Sequence, residues 1–273
     1  MRYRLVVADV DGTLVHRGGD VPPEVRAAVD AYRARGGVFT LATGRPVEGV
    51  RHYVEQLALD VPVIVFNGAV VYDFGAERVL YRRELDPDLA RRALTLAREH
   101  PVDAFLYDGS QVLVAEITAR VEAYMRKDRV RCRPVGDLAD YLDRTGLRPP
   151  KLLFFGDVAA SLQLMARLRS EGWPVNCVQS DAHFIELLPE GASKGAALEW
   201  LAGRLGVPLA RAMAIGDQEN DLELLRRAGL GVAVANARPE VRAEADLVTR
   251  SPYGLGVAEA LRLALSPAAG VGS

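Results

Sequence analysis

The chain has 273 residues, 49% of them hydrophobic and 26% charged, which is enough for one large domain or a core carrying a second, smaller one. A formal net charge of −2 argues against a protein that works by neutralising nucleic-acid phosphates. No run approaches the ~18 apolar residues of a membrane helix, Met1-Arg2-Tyr3-Arg4 leads into a short strand and not a secretory signal, and Cys132 and Cys177 lack CxxC spacing, so a reducing, cytoplasmic setting without a zinc site is expected.

Apolar runs bounded by Gly, Asp or Pro alternate with segments of helical period, the pattern of an α/β chain. Leu5 to Ala8 reads as a buried strand ending at Asp9. Glu24 to Arg35 reads as a helix introduced by Pro22-Pro23 and stopped by Gly36-Gly37. Val38 to Ala42 is a second strand, ending in Thr43-Gly44, and Pro46 starts a helix reaching about Leu57. Val63 to Phe66 is a third strand ending at Asn67-Gly68, with a hairpin of Val70 to Tyr72 and Val79 to Tyr81 beyond it.

Between roughly Asp86 and Leu188 the rhythm changes. A helix, Leu89 to Glu99, leads into strands Ala104 to Tyr107 and Val112 to Ala115 across the turn Asp108-Gly109-Ser110. A helix near Ala119 to Arg126, an irregular stretch, the strand Leu152 to Phe155, the helix Ala159 to Ser170 and strands Val175 to Val178 and Phe184 to Leu188 follow. This is an α+β unit of about one hundred residues, long enough for its own domain. The α/β rhythm then resumes: helix Lys194 to Leu205, strand Ala212 to Ile215, helix Asp221 to Arg227 and strand Leu230 to Val234. The expected fold is a doubly wound, mostly parallel Rossmann-like sheet, residues 1–85 and 189–273, with the α+β unit inserted over 86–188.

Ligands of open parallel sheets bind beyond the carboxyl ends of the strands. Those ends carry Asp9 and Asp11, Thr43, Asn67, and Asp217 with Asn220 and Asp221, while Lys194 opens the helix before the Asp217 strand. In Asp9-Val10-Asp11-Gly12, one carboxylate can serve as nucleophile or metal ligand and the other as general acid/base, against the plainer reading of an acidic turn. Thr43-Gly44 before a helix suits a phosphate oxygen, or is a simple Thr cap. Ser193-Lys194-Gly195 offers a cation to a phosphoryl group, or a Ser cap followed by a surface lysine. Gly216-Asp217-Gln218-Glu219-Asn220-Asp221 offers hard oxygens for magnesium, with Asp221 holding a metal-bound water or orienting Lys194; the plainer reading is a capped acidic first turn. Of 34 basic residues only Lys127, Lys151 and Lys194 are lysines, which marks each as a place where arginine would not serve, unless the bias is compositional.

Taken in order, these segments resemble the haloacid dehalogenase-like hydrolase superfamily, in particular its Cof-like phosphatases with a type IIB cap. The resemblance rests on DVDGTL at Asp9 to Leu14, ATGR at Ala42 to Arg45, NGA at Asn67 to Ala69, PEGASKG at Pro189 to Gly195, GDQEND at Gly216 to Asp221 and AGLGVAVANA at Ala228 to Ala237. It implies that Asp9 attacks phosphorus, and that Asp11 protonates the leaving alcohol and then activates water. It further implies Mg2+ held by the Asp9 and Asp217 carboxylates and the Asp11 backbone carbonyl, with Asp221 behind. Thr43, Gly44 and Lys194 would hold the phosphoryl oxygens, Asn220 supporting them or the metal shell, and the inserted unit would be the cap. Arg45, Asn67, Asp181 and His183 are the candidate substrate contacts. The expected function is a magnesium-dependent phosphatase for a small phosphorylated metabolite, acting as monomer or homodimer, with neither nucleic acid nor membrane as partner. A sugar phosphomutase on the same fold and a non-catalytic phospho-ligand binding module stay open as alternatives.

Overall fold

The computed structural model describes residues 1–16, 19–109 and 111–265. The first half of the chain runs β1 (Leu5–Ala8), α1 (Pro23–Arg33), β2 (Val38–Leu41), α2 (Val47–Gln56), β3 (Val63–Val65), β4 (Val70–Asp73), β5 (Arg78–Arg82) and α3 (Pro87–Ala97). It continues through β6 (Asp103–Asp108), β7 (Gln111–Val114), α4 (Ala119–Asp128), β8 (Cys132–Pro134), α5 (Leu138–Thr145), β9 (Leu152–Phe155) and α6 (Val158–Ser170). The remainder is β10 (Val175–Asp181), β11 (Phe184–Pro189), α7 (Lys194–Arg204), β12 (Ala212–Gly216), α8 (Leu222–Arg227), β13 (Leu230–Ala233), α9 (Pro239–Glu244), β14 (Leu247–Val248) and α10 (Tyr253–Ala264).

The principal sheet has the order β14-β13-β12-β1-β2 with every pairing parallel. Its central strands LVVA and AMAIG are buried throughout, as strands covered on both faces must be. The helix pairs α1 with α10 and α7 with α8 cover it. The expected third strand, β3, departs from the reading. It joins the sheet edge only through the parallel bridge Ala42–Ile64 and pairs antiparallel with β4 in a small sheet β3-β4-β5.

Strands β10-β11-β9-β6-β7-β8 form the second sheet, within the inserted α+β unit. Its period of two divides the side chains between two cores. Leu106, Leu113, Leu152, Phe154, Ile185 and Leu187 pack with residues of α3, α5 and α6. Phe105, Tyr107, Leu153, Phe184 and Leu188 face the other way and join the core of the principal sheet. The chain crosses between the two units at two adjacent points, where the Arg83 guanidinium donates to the Glu190 carbonyl at 3.0 Å.

The stretch read as irregular holds β8 and α5. The signals for α5 are present: Asp137 caps it through the Asp140 N–H, Leu138, Ala139 and Leu142 form its buried face, and Gly146 closes it in the left-handed region. The reading also carried nothing beyond Val234, where α9, β14 and α10 complete the principal layer. In the expected turn at Asp108-Gly109-Ser110, Ser110 lies outside the described residues.

Candidate active site

The strand ends deliver their side chains to one crevice. Asp9 follows β1, and its Oδ1 accepts from Lys194 Nζ at 2.6 Å. The same ammonium donates to Asp221 Oδ1 at 2.7 Å, so Lys194, only 1% exposed, spans two carboxylates. Ser193 does cap α7, accepting from the Ala196 N–H, but the lysine after it is buried and not on the surface. Asp217 is not a helix cap. Its Oδ1 takes the Thr13 hydroxyl at 2.7 Å, while Gln218 and Asp221 form the capping box. The second oxygen of Asp221 accepts the Asp217 and Gln218 N–H groups, which pins the loop under the cluster.

Two glycines allow this packing. Gly12 has φ +91, and a Cβ there would lie 2.3 Å from Asp217 Oδ2. Gly68 has φ +90, and a Cβ would lie 1.9 Å from the Ser193 carbonyl, so any side chain would push α7 and Lys194 away.

Carboxylate oxygens of Asp9, Asp217 and Asp221 come within 4.8 Å of one another. Burial, and then repulsion from Asp221, Asp217 and Asp11, pushes the Asp9 carboxyl well above its ordinary range despite Lys194. Burial and Asp221 push Asp217 up to about 7. For Lys194, burial works against the charge, but Asp221 and Asp9 outweigh it and raise the ammonium pKa. The cluster therefore carries more negative charge than its lysine offsets. Three hard oxygen ligands with no sulfur or imidazole among them fit a divalent cation of the magnesium kind.

Thr43 Oγ1 accepts from the Arg45 N–H at 3.1 Å, and α2 begins instead from Pro46 without a side-chain cap, so the reading of Thr43 as a helix cap does not hold. Arg45 turns onto Asp11. Nε and Nη2 reach its two carboxylate oxygens at 2.7 Å each. Burial alone would raise the Asp11 pKa, but the Arg45 fork overrides it and holds the carboxyl below its ordinary value.

Asn67, in the left-handed region at φ 51, bonds both units: Nδ2 donates to Glu186 Oε2 at 2.7 Å, and Oδ1 accepts from Asn220 Nδ2 at 2.8 Å. The Oδ1 of Asn220 is buried without a partner among the described residues. Glu186 and Lys151, absent from the sequence-based candidates as a pair, form a buried bridge at 2.6 Å, and Lys151 also donates to the Gly44 carbonyl at 2.6 Å. Alternation along β11 with Ile185 and Leu187, which face the other core, was the available signal for Glu186. Asn236 was also missed, although it stands inside the quoted AGLGVAVANA segment. Its Nδ2 braces the Gly12 carbonyl at 2.8 Å while its Oδ1 holds the Tyr253 N–H.

Above these groups opens a cavity of about 940 Å3 that includes Asp9, Asp11, Thr43, Asp217, Lys127 and Lys151 among its walls, with Lys194 buried beneath it against Asp9. From the inserted unit, Gln179, Ser180, Asp181 and Lys127 reach it, and Lys127 Nζ lies 3.1 Å from Asp181 Oδ2 and 4.1 Å from the Phe184 ring centre. His183, one of the expected substrate contacts, lies apart from these groups. It is not among the cavity's lining residues, and its Nδ1 lies against the Gly156 carbonyl at 3.1 Å. Position 183 sits in the β10–β11 turn, where alternation no longer says which way a side chain points.

Comparison with known proteins decides the family. The profile described as haloacid dehalogenase-like hydrolase matches residues 6–261. The chain belongs to the haloacid dehalogenase-like hydrolases. It is 32% identical over 268 residues to the Bacillus subtilis protein YxeH, covering 95% of this chain and 97% of that one. It is 30% identical over 243 residues to a Citrobacter koseri protein named HMP-PP phosphatase, covering 88% and 87% of the two chains. A haloacid dehalogenase-like hydrolase of Bacteroides thetaiotaomicron superposes with a TM-score of 0.83 at 27% identity, over 96% of this chain and 99% of that one. As a member of this family the chain is an enzyme, and its inserted α+β unit stands where a cap does. Among the described residues no helix is long and apolar enough to cross a membrane.

Proposed function

We propose that this hydrolase is a magnesium-dependent phosphatase of small phosphorylated metabolites, sugar phosphates or related monoesters, working through an aspartyl phosphate. The observation that carries the reading is Asp9, buried at the floor of the cavity with Lys194 at 2.6 Å and two further carboxylates beside it. An Asp9 oxygen attacks phosphorus and the bond from phosphorus to the ester oxygen breaks. Asp11, at the cavity wall and ionised in the empty site, takes up a proton when the phosphate dianion of the substrate enters beside it. It gives that proton to the departing alkoxide, then takes one from the water that attacks the aspartyl phosphate, releasing phosphate and restoring Asp9. Lys194 and the Thr43-Gly44 segment neutralise and orient the phosphoryl oxygens. Asp9, Asp217 and Asp221, with the Asp11 carbonyl, would hold magnesium, which when bound would neutralise charge on the transferring group. The polar lining from Gln179 to Asp181, with Lys127, suits a hydroxylated leaving group.

In this reading residues 1–85 and 189–273 are the catalytic core and 86–188 the cap. One chain supplies the whole site, so monomer and homodimer serve alike, and the two thiols fit a cytoplasmic enzyme. The name of the Citrobacter relative supports a phosphorylated small molecule as substrate. The test is phosphate release from a panel of phosphorylated metabolites, with magnesium and with chelator. Wild type is expected to need magnesium, and Asp9→Asn to lose turnover while keeping its melting temperature. Turnover retained in Asp9→Asn would overturn the covalent route. Activity that needs a bisphosphate primer and releases no phosphate would make the enzyme a mutase.

A further inference from the structure

The guanidinium of Arg45 is buried and largely committed to protein partners. Side chain and backbone are 3% exposed. Nε and one Nη2 hydrogen serve the two oxygens of Asp11. Nη2 also reaches the Lys127 carbonyl at 3.4 Å, and Nη1 reaches the Gly49 carbonyl at 3.2 Å and Asp128 Oδ1 at 3.8 Å. Four of the five N–H donors of the guanidinium are thus hydrogen-bonded, and its second Nη1 side faces Asp128 as an ion pair. Its flat face lies 5.4 Å from the centre of the Tyr53 ring. Asp11, by contrast, has a side chain 34% exposed toward the cavity.

Two of the five contacts come from the cap. Lys127 and Asp128 are the last residues of α4, and their approach to the core is close: a Cβ on Gly49 would lie 3.0 Å from the Asp128 carbonyl. Asp128 is buried, and Arg45 is the cation that offsets it most. The same core segment is held one residue earlier, where Lys151 of the cap donates to the Gly44 carbonyl. The cap thus grips Gly44 and Arg45 together, and Arg45 grips Asp11.

We propose that Arg45 is a positioning residue that aims the Asp11 carboxyl at the leaving group, and that its aim is complete only when the C-terminus of α4 is seated on α2. This rests on the reading of Asp11 as acid/base. The bidentate fork fixes the plane of the carboxyl group, and the Lys127 carbonyl and Asp128 fix the fork. With the cap displaced, Arg45 loses two of its five contacts, and the fork that orients Asp11 is held only by the Gly49 carbonyl. Proton delivery is thereby tied to a closed cap, so the ester bond is broken only where bulk water is excluded.

The experiment compares kcat/KM on the best alkyl ester of the metabolite panel with kcat/KM on p-nitrophenyl phosphate, whose leaving group needs no proton. Asp11→Asn is the reference, because loss of the acid must weigh on the alkyl ester. Arg45→Met is expected to lower kcat/KM on the alkyl ester by about 10²-fold and on the aryl ester by less than about tenfold, with KM little changed. Arg45→Lys keeps the charge but cannot fork, and is expected to recover melting temperature but not the alkyl rate. Asp128→Asn is expected to show the same skew at smaller size, and to add nothing in the Arg45→Met background. An equal loss on both esters, or a rise in KM alone, would overturn the proposal and return Arg45 to substrate contact or plain scaffold. A skew in Arg45→Met with none in Asp128→Asn would overturn the link to the cap. Absence of skew in Asp11→Asn would remove the acid reading and the proposal with it, whereas an inactive wild type would remove the phosphatase reading itself.

Discussion

Two lysines are fully buried, Lys194 in the core at 1% exposure and Lys151 in the cap at 2%, each 2.6 Å from a carboxylate. Lys194 faces Asp9 and Asp221 directly, with Asp217 beside them, so negative charge is in excess. Lys151 faces a single carboxylate, Glu186, and the remaining contacts are neutral: Ser180 and Asn67 on Glu186, the Gly44 carbonyl on the lysine. The first arrangement carries uncompensated charge, which the proposed magnesium would offset. The second is balanced as it stands. Similar burial and the same bond length therefore describe a binding centre in one case and a clamp in the other, and the local charge count separates them.

Exchanging each lysine for methionine should break the symmetry most strongly. Lys194→Met is expected to lower kcat on the order of 10²–10³-fold, because a donor to the transferring group is gone. Lys151→Met leaves Glu186 buried without its cation and is expected to destabilise the fold by about 3–5 kcal/mol. Activity assays and thermal melts on the two variants give the check: similar loss of turnover with similar loss of stability would erase the distinction.

The excess charge predicts a pH dependence in the metal-free protein. Asp217 titrates at about 7 in the folded chain against an ordinary 3.8, and Asp9 is shifted the same way. Between those two values the folded state holds protons that the unfolded state has released, so stability falls as pH rises across that window. Saturating magnesium, which binds the deprotonated ligands, should flatten the fall at its upper end. Melting temperatures from about pH 5 to about pH 7, with and without the metal, test this. A metal-free curve that rises with pH would mean the carboxylates are already satisfied.

The smallest effect is expected at the third lysine. Lys127 and Asp181 are 36% and 40% exposed in their side chains, and such a pair contributes only about 0–1 kcal/mol to stability. Lys127→Ala should leave the melting temperature unchanged and raise KM selectively, for substrates whose leaving group carries a negative charge. A uniform change in KM across the panel would place Lys127 outside the leaving-group pocket.

The alternation of short apolar strands with amphipathic helices set the parallel sheet, and with it the arrival of Asp9, Thr43, Asp217 and Asp221 at one edge. Those residues lie at or just beyond the ends of strands whose pairing follows from local period and the handedness of βαβ crossovers. The unusual choice of lysine at three positions was likewise visible: Lys127 and Lys151 line the cavity, and Lys194 lies beneath it against Asp9. Helix α5 is legible too, through its Asp137 cap and its Gly146 stop. Which partner each polar side chain takes was decided only in three dimensions. Arg45 meets Asp11 across 34 residues, Asn67 meets Glu186 across 119, and Lys151 meets the Gly44 carbonyl across 107. No period in the chain encodes such pairings, because they depend on how the cap sheet lies against the core once both have packed. The same limit applies to His183, whose neighbours in sequence reach the cavity while its own ring turns to the Gly156 carbonyl. Strand ends are a local property of the chain, whereas the aim of Asp11 belongs to the contact between two folded units.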